Sequence, residues 1–253
     1  MTLKLLPLPE TEKTVTAVFS RMEDAAEAVS EIIRRGIIPR NIEFMDNASI
    51  RCVESYLKIG LPTQADALLI MAVDGSAGEV ESGVAKLDEI CRFKNASEFR
   101  AAADDAEAKE LWRARKAISP ALFQYGPDKI NEDIVVPRNK IPAMVSKIKA
   151  LREKTGLKIV AFGHAGDGNI HFNVMLDKRD KVELEKTEKT VEELFDYTLA
   201  LGGTISGEHG VGITKAPFLK KEIGEVELAL MQKIKRIFDP NGILNPGKIF
   251  PVS

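Results

Sequence analysis

Residues 14–20, TVTAVFS, are rich in β-branched residues and alternate in character, which predicts a strand. The period then changes. Ala25, Ala26, Val29, Ile32 and Ile33 recur at helical spacing, so residues 22–35 are predicted as a helix, stopped by Gly36 ahead of Pro39. A short strand, IEFM at 42–45, follows. Asp46 and Asn47 are suited to cap a helix that runs to about Ile59 and ends at Gly60 and Pro62. ALLIMAVDG (67–75) reads as a buried strand and residues 76–91 as an amphipathic helix. A strand near 93–98 closes the unit. With the helix at 47–59 set aside, the order is βαββαβ, that of a ferredoxin-like split βαβ unit.

A predicted linking helix, at 100–118, and a loop with proline and glycine, SPALFQYGPDKIN, come next. The order then begins again: strand DIVVP (133–137), helix 140–154, strands LKIVAFG (157–163) and NIHFNVML (169–176), a charged helix 180–200, and a short strand, TIS. The expected fold class is α+β, with two ferredoxin-like subdomains built on antiparallel sheets and a C-terminal helical segment. The expected division is residues 1–99 for the first subdomain, 100–131 for the helix and connecting loop, and 132–206 for the second. Residues 207–253 then hold a Glu-His loop, a helix at about 222–238 and a turn-rich tail.

Composition narrows the classes of function. The chain has 253 residues, 44% hydrophobic and 29% charged, as in a globular protein. A net charge of −2 offers no electrostatic case for nucleic acid or an anionic membrane. No apolar run approaches the ~20 residues that span a bilayer, and the N-terminus lacks the pattern of a secretory signal. The two cysteines, Cys52 and Cys91, are far apart in sequence. They fit buried thiols in a reducing, cytoplasmic setting.

Candidate chemistry concentrates in the three histidines, His164, His171 and His209, each in a segment punctuated by glycine. A single such histidine is most simply a hydrogen-bonded structural residue; three in two glycine-rich loops point to a shared site. In FGHAGDGNIHFN, His164 and His171 flank a turn that joins two strands. Alternation puts His171 and Asn173 on one face and Phe172 on the other. In SGEHGVG, Glu208 and His209 are adjacent. Two histidines and a carboxylate are a usual ligand set for zinc and related divalent ions. His164, His171 and Glu208 would supply it, leaving His209 free as a general base. The spacing is not that of a standard zinc motif, and the two loops must meet in space. The glycine patterns run opposite to G-x-G-x-x-G, which excludes a Rossmann site. Walker A and G-x-S-x-G motifs are absent.

FGHAGDGNIHFNV, SGEHGVGITKAPFL and IKRIFDPNGILNPGKIF, in this order, closely resemble the C-terminal domain of FAD-linked oxidases. That group holds D-lactate dehydrogenases, D-2-hydroxyglutarate dehydrogenase and a component of glycolate oxidase, within the vanillyl-alcohol oxidase superfamily. LWRARKAISPAL, KINEDIVVPR and PLPETEKTVTAVF extend the resemblance over nearly the whole chain. It implies an FAD-linked oxidoreductase acting on 2-hydroxy acids, in which a divalent metal, often zinc, holds the hydroxy acid while a hydride passes to the flavin. By the same resemblance His164, His171 and Glu208 match the metal ligands. His209 matches the residue proposed to take the hydroxyl proton. Arg115, Ser119, Lys129 and Asn173 match substrate contacts, and Asn245 a flavin-side contact; Arg115 is otherwise a solvated helix arginine, and Asn245 a turn residue. Family members also carry a flavin-binding domain with its own glycine-rich loop, and nothing in this sequence plays that part. The expectation is therefore a substrate and metal portion that works with a flavin-binding domain in cis or in trans, does not bind FAD tightly alone, and exposes a docking surface able to drive self-association. The competing readings are a non-enzymatic module that binds metal and 2-hydroxy acid, and a zinc hydrolase resting on the His/His/Glu set alone.

Overall fold

The computed structural model describes residues 2–5 and 7–250. Seven strands form one antiparallel sheet: β1 (Thr11–Phe19), β2 (Asn41–Asp46), β3 (Ala67–Gly75), β4 (Ala96–Ala101), β5 (Asp128–Val135), β6 (Lys158–His164) and β7 (Asn169–Leu176). Their order across the sheet is β4-β1-β3-β2-β6-β7-β5. The first four follow the 4-1-3-2 order of a ferredoxin-like unit. The second unit repeats it in mirror sequence, with β6, β7 and β5 in the places of its second, third and first strands. Its fourth strand, expected at TIS, is reduced to one bridge between Val135 and Thr204. Past Thr204 the backbone turns to other partners, with Ile205 N–H donating to Glu222 and His209 N–H to Asp133. The two units therefore share one continuous sheet, joined where β2 pairs with β6 (Glu43 opposite His164, Met45 opposite Phe162).

Helices α1 (Met22–Arg34), α3 (Ala77–Phe93), α5 (Ile141–Thr155) and α6 (Lys181–Ala200) cover one face. There Val29, Ile32, Leu87, Ile148 and Phe195 pack on Val15, Phe19, Leu69, Met71, Phe172 and Val174. Helices α2 (Asn47–Leu57) and α4 (Asp105–Ala121) cover the middle of the opposite face. Ile50, Val53, Leu111 and Ile118 meet Met45, Leu68, Ile70, Val160 and Phe162 there. Asp46 caps α2 as expected, its carboxylate accepting from the Ser49 N–H at 2.8 Å. That helix stops earlier than the glycine suggested, at Lys58 in a left-handed conformation (φ 54°).

Other boundaries move by a few residues. β5 begins at Asp128, inside the expected loop, because Lys129 and Asn131 continue the ladder with β7. The linking helix α4 lies at 105–121 and tolerates Pro120 in its last turn. Beyond the sheet a single turn, α7 (Leu219–Glu222), precedes α8 (Glu225–Phe238), none of whose residues is buried. Among the described residues no helix is long and apolar enough to cross a membrane. Cys52 and Cys91 are buried free thiols whose burial pushes them up to about 11 and about 12 respectively.

Candidate functional site

The face under α2 and α4 changes character toward β5. β7 is buried along its whole length, yet presents Asn169, His171 and Asn173 on this face, with Phe172 turned into the opposite core. The β6–β7 turn spans residues 165–168 and closes on Gly168 at φ +87°, with the Gly168 N–H donating to the His164 carbonyl at 3.1 Å. The two histidines that flank the turn do not face each other directly: His164 lies opposite Asn169 and His171 opposite Phe162, so they are diagonal neighbours. Two steps along a strand return a side chain to the same face, and their rings sit 5.3 Å apart, edge to face.

The SGEHGVG segment reaches the same place. Gly207 packs so closely on Asn169 that an added Cβ would lie 2.9 Å from that side chain. His164 Nε2 and His171 Nε2 come within 3.7 and 3.4 Å of Glu208 Oε1. The three donor atoms all lie within 4.8 Å of one another. Donors of a tetrahedral zinc site with bonds of ~2.0–2.2 Å stand about 3.3 Å apart, so this set could hold a small divalent ion once its wider separations close by about 1–1.5 Å. The His209 ring stacks on His171 at 5.5 Å. Its Nδ1 faces Asp133 Oδ1 at 3.5 Å, and its Nε2 lies 4.0 Å from Glu208 Oε1. Burial, then the positive charge of His164, Arg115 and His209, pushes His171 down to about 4. It is therefore neutral at neutral pH, with a lone pair to offer. His164 is shifted upward, chiefly by its hydrogen bond with Glu43. Three buried oxygens around these residues, Asn169 Oδ1, Asn173 Oδ1 and Ser206 Oγ, have no partner. Such atoms are costly to leave unpaired, and these border the donor set.

The remaining candidates fall into two groups. Arg115 and Ser119 are one turn apart on α4 and so share a face. The Arg115 guanidinium lies 4.8 Å over the Phe162 ring, itself 5.2 Å from His171. Lys129 Nζ donates to Ser119 Oγ at 2.7 Å. Lys129 stands four residues before Asp133, ~13 Å along the strand on the same face. Asn173, opposite Asn131 on β5, is 1% exposed. Asn245 is not brought to this cluster. Its side chain accepts from Lys248 Nζ at 3.1 Å, and the tail around it is held by Lys235 Nζ donating to the Leu244 carbonyl at 2.8 Å and by Ile249 N–H donating to the Gly212 carbonyl at 2.7 Å.

Three residues at the site were not singled out in the sequence. Glu43 Oε1 is 2.7 Å from His164 Nδ1, and its Oε2 accepts from Arg115 Nε at 2.8 Å. Asp133, fully buried, accepts from the backbone N–H of Glu208 and of His209 (2.9 Å) and pairs with Lys215. Burial alone would raise the Asp133 carboxyl; the Lys215 ammonium and these two N–H groups outweigh it and hold it low. Lys215 is 2% exposed and also donates to the Asp133 carbonyl at 2.9 Å. The signal for this pair was the acidic doublet Glu132-Asp133 opening an apolar strand, since a buried carboxylate requires a cation.

Comparison with known proteins meets this geometry from the other side. The family described as FAD linked oxidases, C-terminal domain, matches residues 8–249. The chain belongs to that family. It is similar to glycolate oxidase subunit GlcD of Bacillus subtilis, 42% identical over 98% of this chain and 53% of the relative. It also resembles the Escherichia coli K12 protein of that name (35%, over 99% of this chain and 50% of the relative) and D-lactate dehydrogenase of Anaerostipes hadrus (31%, over 98% and 54%). The chain thus spans about half the length of these curated relatives. Among solved structures, p-cresol methylhydroxylase with substrate bound aligns with a TM-score of 0.71 at 17% identity, covering 96% of this chain and 53% of that one. At that identity the likeness concerns the fold. As a member of the FAD-linked oxidase C-terminal family, this chain has homologues named as glycolate oxidase subunits and D-lactate dehydrogenases.

Proposed function

We propose that this chain is the substrate- and metal-binding portion of an FAD-dependent dehydrogenase or oxidase of 2-hydroxy acids of the glycolate or D-lactate type. The observation that carries the reading is the convergence of His164, His171 and Glu208 donors within 4.8 Å, from segments 37 residues and more apart in the sequence. A divalent cation held there, zinc by expectation, would supply Lewis-acid charge that lowers the pKa of a coordinated hydroxyl. Flavin, held mainly by a flavin-binding domain, supplies the hydride acceptor, with Asn245 as a contact from this chain.

The chain's own groups divide the remaining work. Neutral His171 offers Nε2 as a ligand without first losing a proton. Arg115 presents charged donors suited to a planar carboxylate, and the Lys129–Ser119 pair adds further donors on the same side. Asn173 offers an unpaired oxygen to a hydroxyl. Asp133 faces Nδ1 of His209, so an Nδ1–H tautomer leaves Nε2 to accept the hydroxyl proton. The flavin-binding domain docks on α8, where Val226, Leu230, Ile234, Ile237 and Phe238 form an exposed apolar stripe.

The test combines the chain with a separately produced, flavin-loaded domain and follows dye reduction by glycolate and by D-lactate. Turnover that needs both parts and is lost in His209→Ala is expected. A demonstrated, flavin-loaded complex that binds either acid and never turns it over would contradict the reading and favour a binding module.

A further inference from the structure

Glu43 belongs to the first ferredoxin-like unit, while the histidines it meets belong to the second. It lies on β2, opposite His164 across the β2–β6 seam, and is 5% exposed. Its two oxygens are divided. Oε1 contacts His164 Nδ1 at 2.7 Å, and Oε2 accepts from Arg115 Nε at 2.8 Å. Resting on the function proposed above, we infer that Glu43 is a positioning residue that sets the metal ligand His164 and the carboxylate contact Arg115 at a fixed offset. It does this by binding both with one buried carboxylate.

Three physical points support the inference. An imidazole that donates Nδ1–H to a carboxylate keeps Nε2 unprotonated, and here Nε2 is the atom that points to Glu208. Carboxylate–histidine contacts of this kind orient metal-bound imidazoles and raise their basicity. Arg115, held through Nε and lying over the Phe162 ring, has its side-chain direction fixed from two sides. One rigid carboxylate then determines where the two ends of a 2-hydroxy acid are received, the hydroxyl near His164 and the carboxylate near Arg115. The competing role is a plain countercharge for buried Arg115, with the His164 contact incidental.

The two roles separate in a pair of variants. Arg115→Met removes the cation and leaves Glu43 on His164. Glu43→Leu/Arg115→Met removes both charges, an apolar replacement that buried ion pairs commonly tolerate. Zinc chloride is titrated calorimetrically into each metal-free chain, with His171→Ala as the reference for loss of the site. Nitrogen–proton correlation spectra of isotope-labelled histidine read the His164 tautomer without metal, in alkaline buffer where the ring is neutral. The expected result is an Nδ1–H tautomer in wild type and Arg115→Met, with zinc affinity close to wild type in the latter. In the double variant the tautomer becomes mixed and zinc affinity falls about 10–100-fold. A double variant that matches Arg115→Met in tautomer and affinity overturns the inference. Should wild type take up no zinc that His171→Ala removes, the metal reading fails by itself. The tautomer comparison still decides Glu43, because a wild-type His164 without the Nδ1–H form would overturn its role.

Discussion

One face of the sheet is mainly apolar in its first half, while in its second it carries a polar cluster beside Val160, Phe162 and Met175, although the second half follows the first half's strand order short of its fourth strand. Under α2 and α4, Met45, Leu68 and Ile70 form an apolar core with Ile50, Val53, Leu111 and Ile118. In the β6–β7–β5 half the same face carries His164, Asn169, His171, Asn173 and Asp133, and a loop of glycines closes over it. The opposite face is mainly apolar, although Glu132, opposite Phe172, is buried there. A repeated topology thus need not repeat a site: with one face packed by four helices, half of the other is free to hold groups that a core would exclude. The first half still contributes through the seam, by Glu43 and by Arg115 on the helix that roofs it.

Substitutions should break this contrast in graded steps. The largest effect is expected for Asp133→Ala, which strands the buried Lys215 ammonium and unties the Glu208–His209 backbone. Breaking such a pair costs about 3–5 kcal/mol, to be read by urea denaturation, with zinc uptake lost as well. Ile70→Ala, in the apolar half, should cost about 2–5 kcal/mol through the cavity it leaves. Zinc affinity of the folded fraction should stay unchanged; a fall there would mean the halves are not separable. His171→Ala should do the reverse, abolishing any zinc-induced rise in Tm while changing stability in EDTA less than Ile70→Ala does.

A pH-dependent effect concerns Glu132, whose carboxyl is raised from 4.5 to about 7, chiefly by burial and against the pull of Lys215. A raised acid binds more protons folded than unfolded between those values, so its contribution is full below pH 4.5 and is lost as pH rises through about 7. Glu132→Gln should therefore match wild type near the acid end of that window and be the more stable of the two above it. Denaturation midpoints across the window check the sign; a variant less stable at the alkaline end would contradict it.

The order of elements was legible because strand and helix periods alternate cleanly, with Gly36, Gly60 and Gly156 near the breaks. The three histidines were legible because each sits among glycines, where an apolar stripe cannot explain it. The seam between β2 and β6 was not, since strand pairing at a distance leaves no local mark. With it went Glu43, which in IEFM looks like the solvent-facing position of an alternating strand. Lys215 reads in GITKAPFL as an ordinary surface lysine, and only the tertiary fold sets it against Asp133. The reduced strand at Thr204 was overestimated because TIS has β-propensity, while a single bridge is all that its neighbours permit.

The most direct test of a site assembled from both loops is elemental analysis of the tag-free chain beside His164→Ala/His171→Ala. The account predicts near-stoichiometric divalent metal in the wild type and its loss in the double variant. A folded wild type that takes up neither zinc nor manganese when these are supplied, or a double variant that retains the metal, would contradict it.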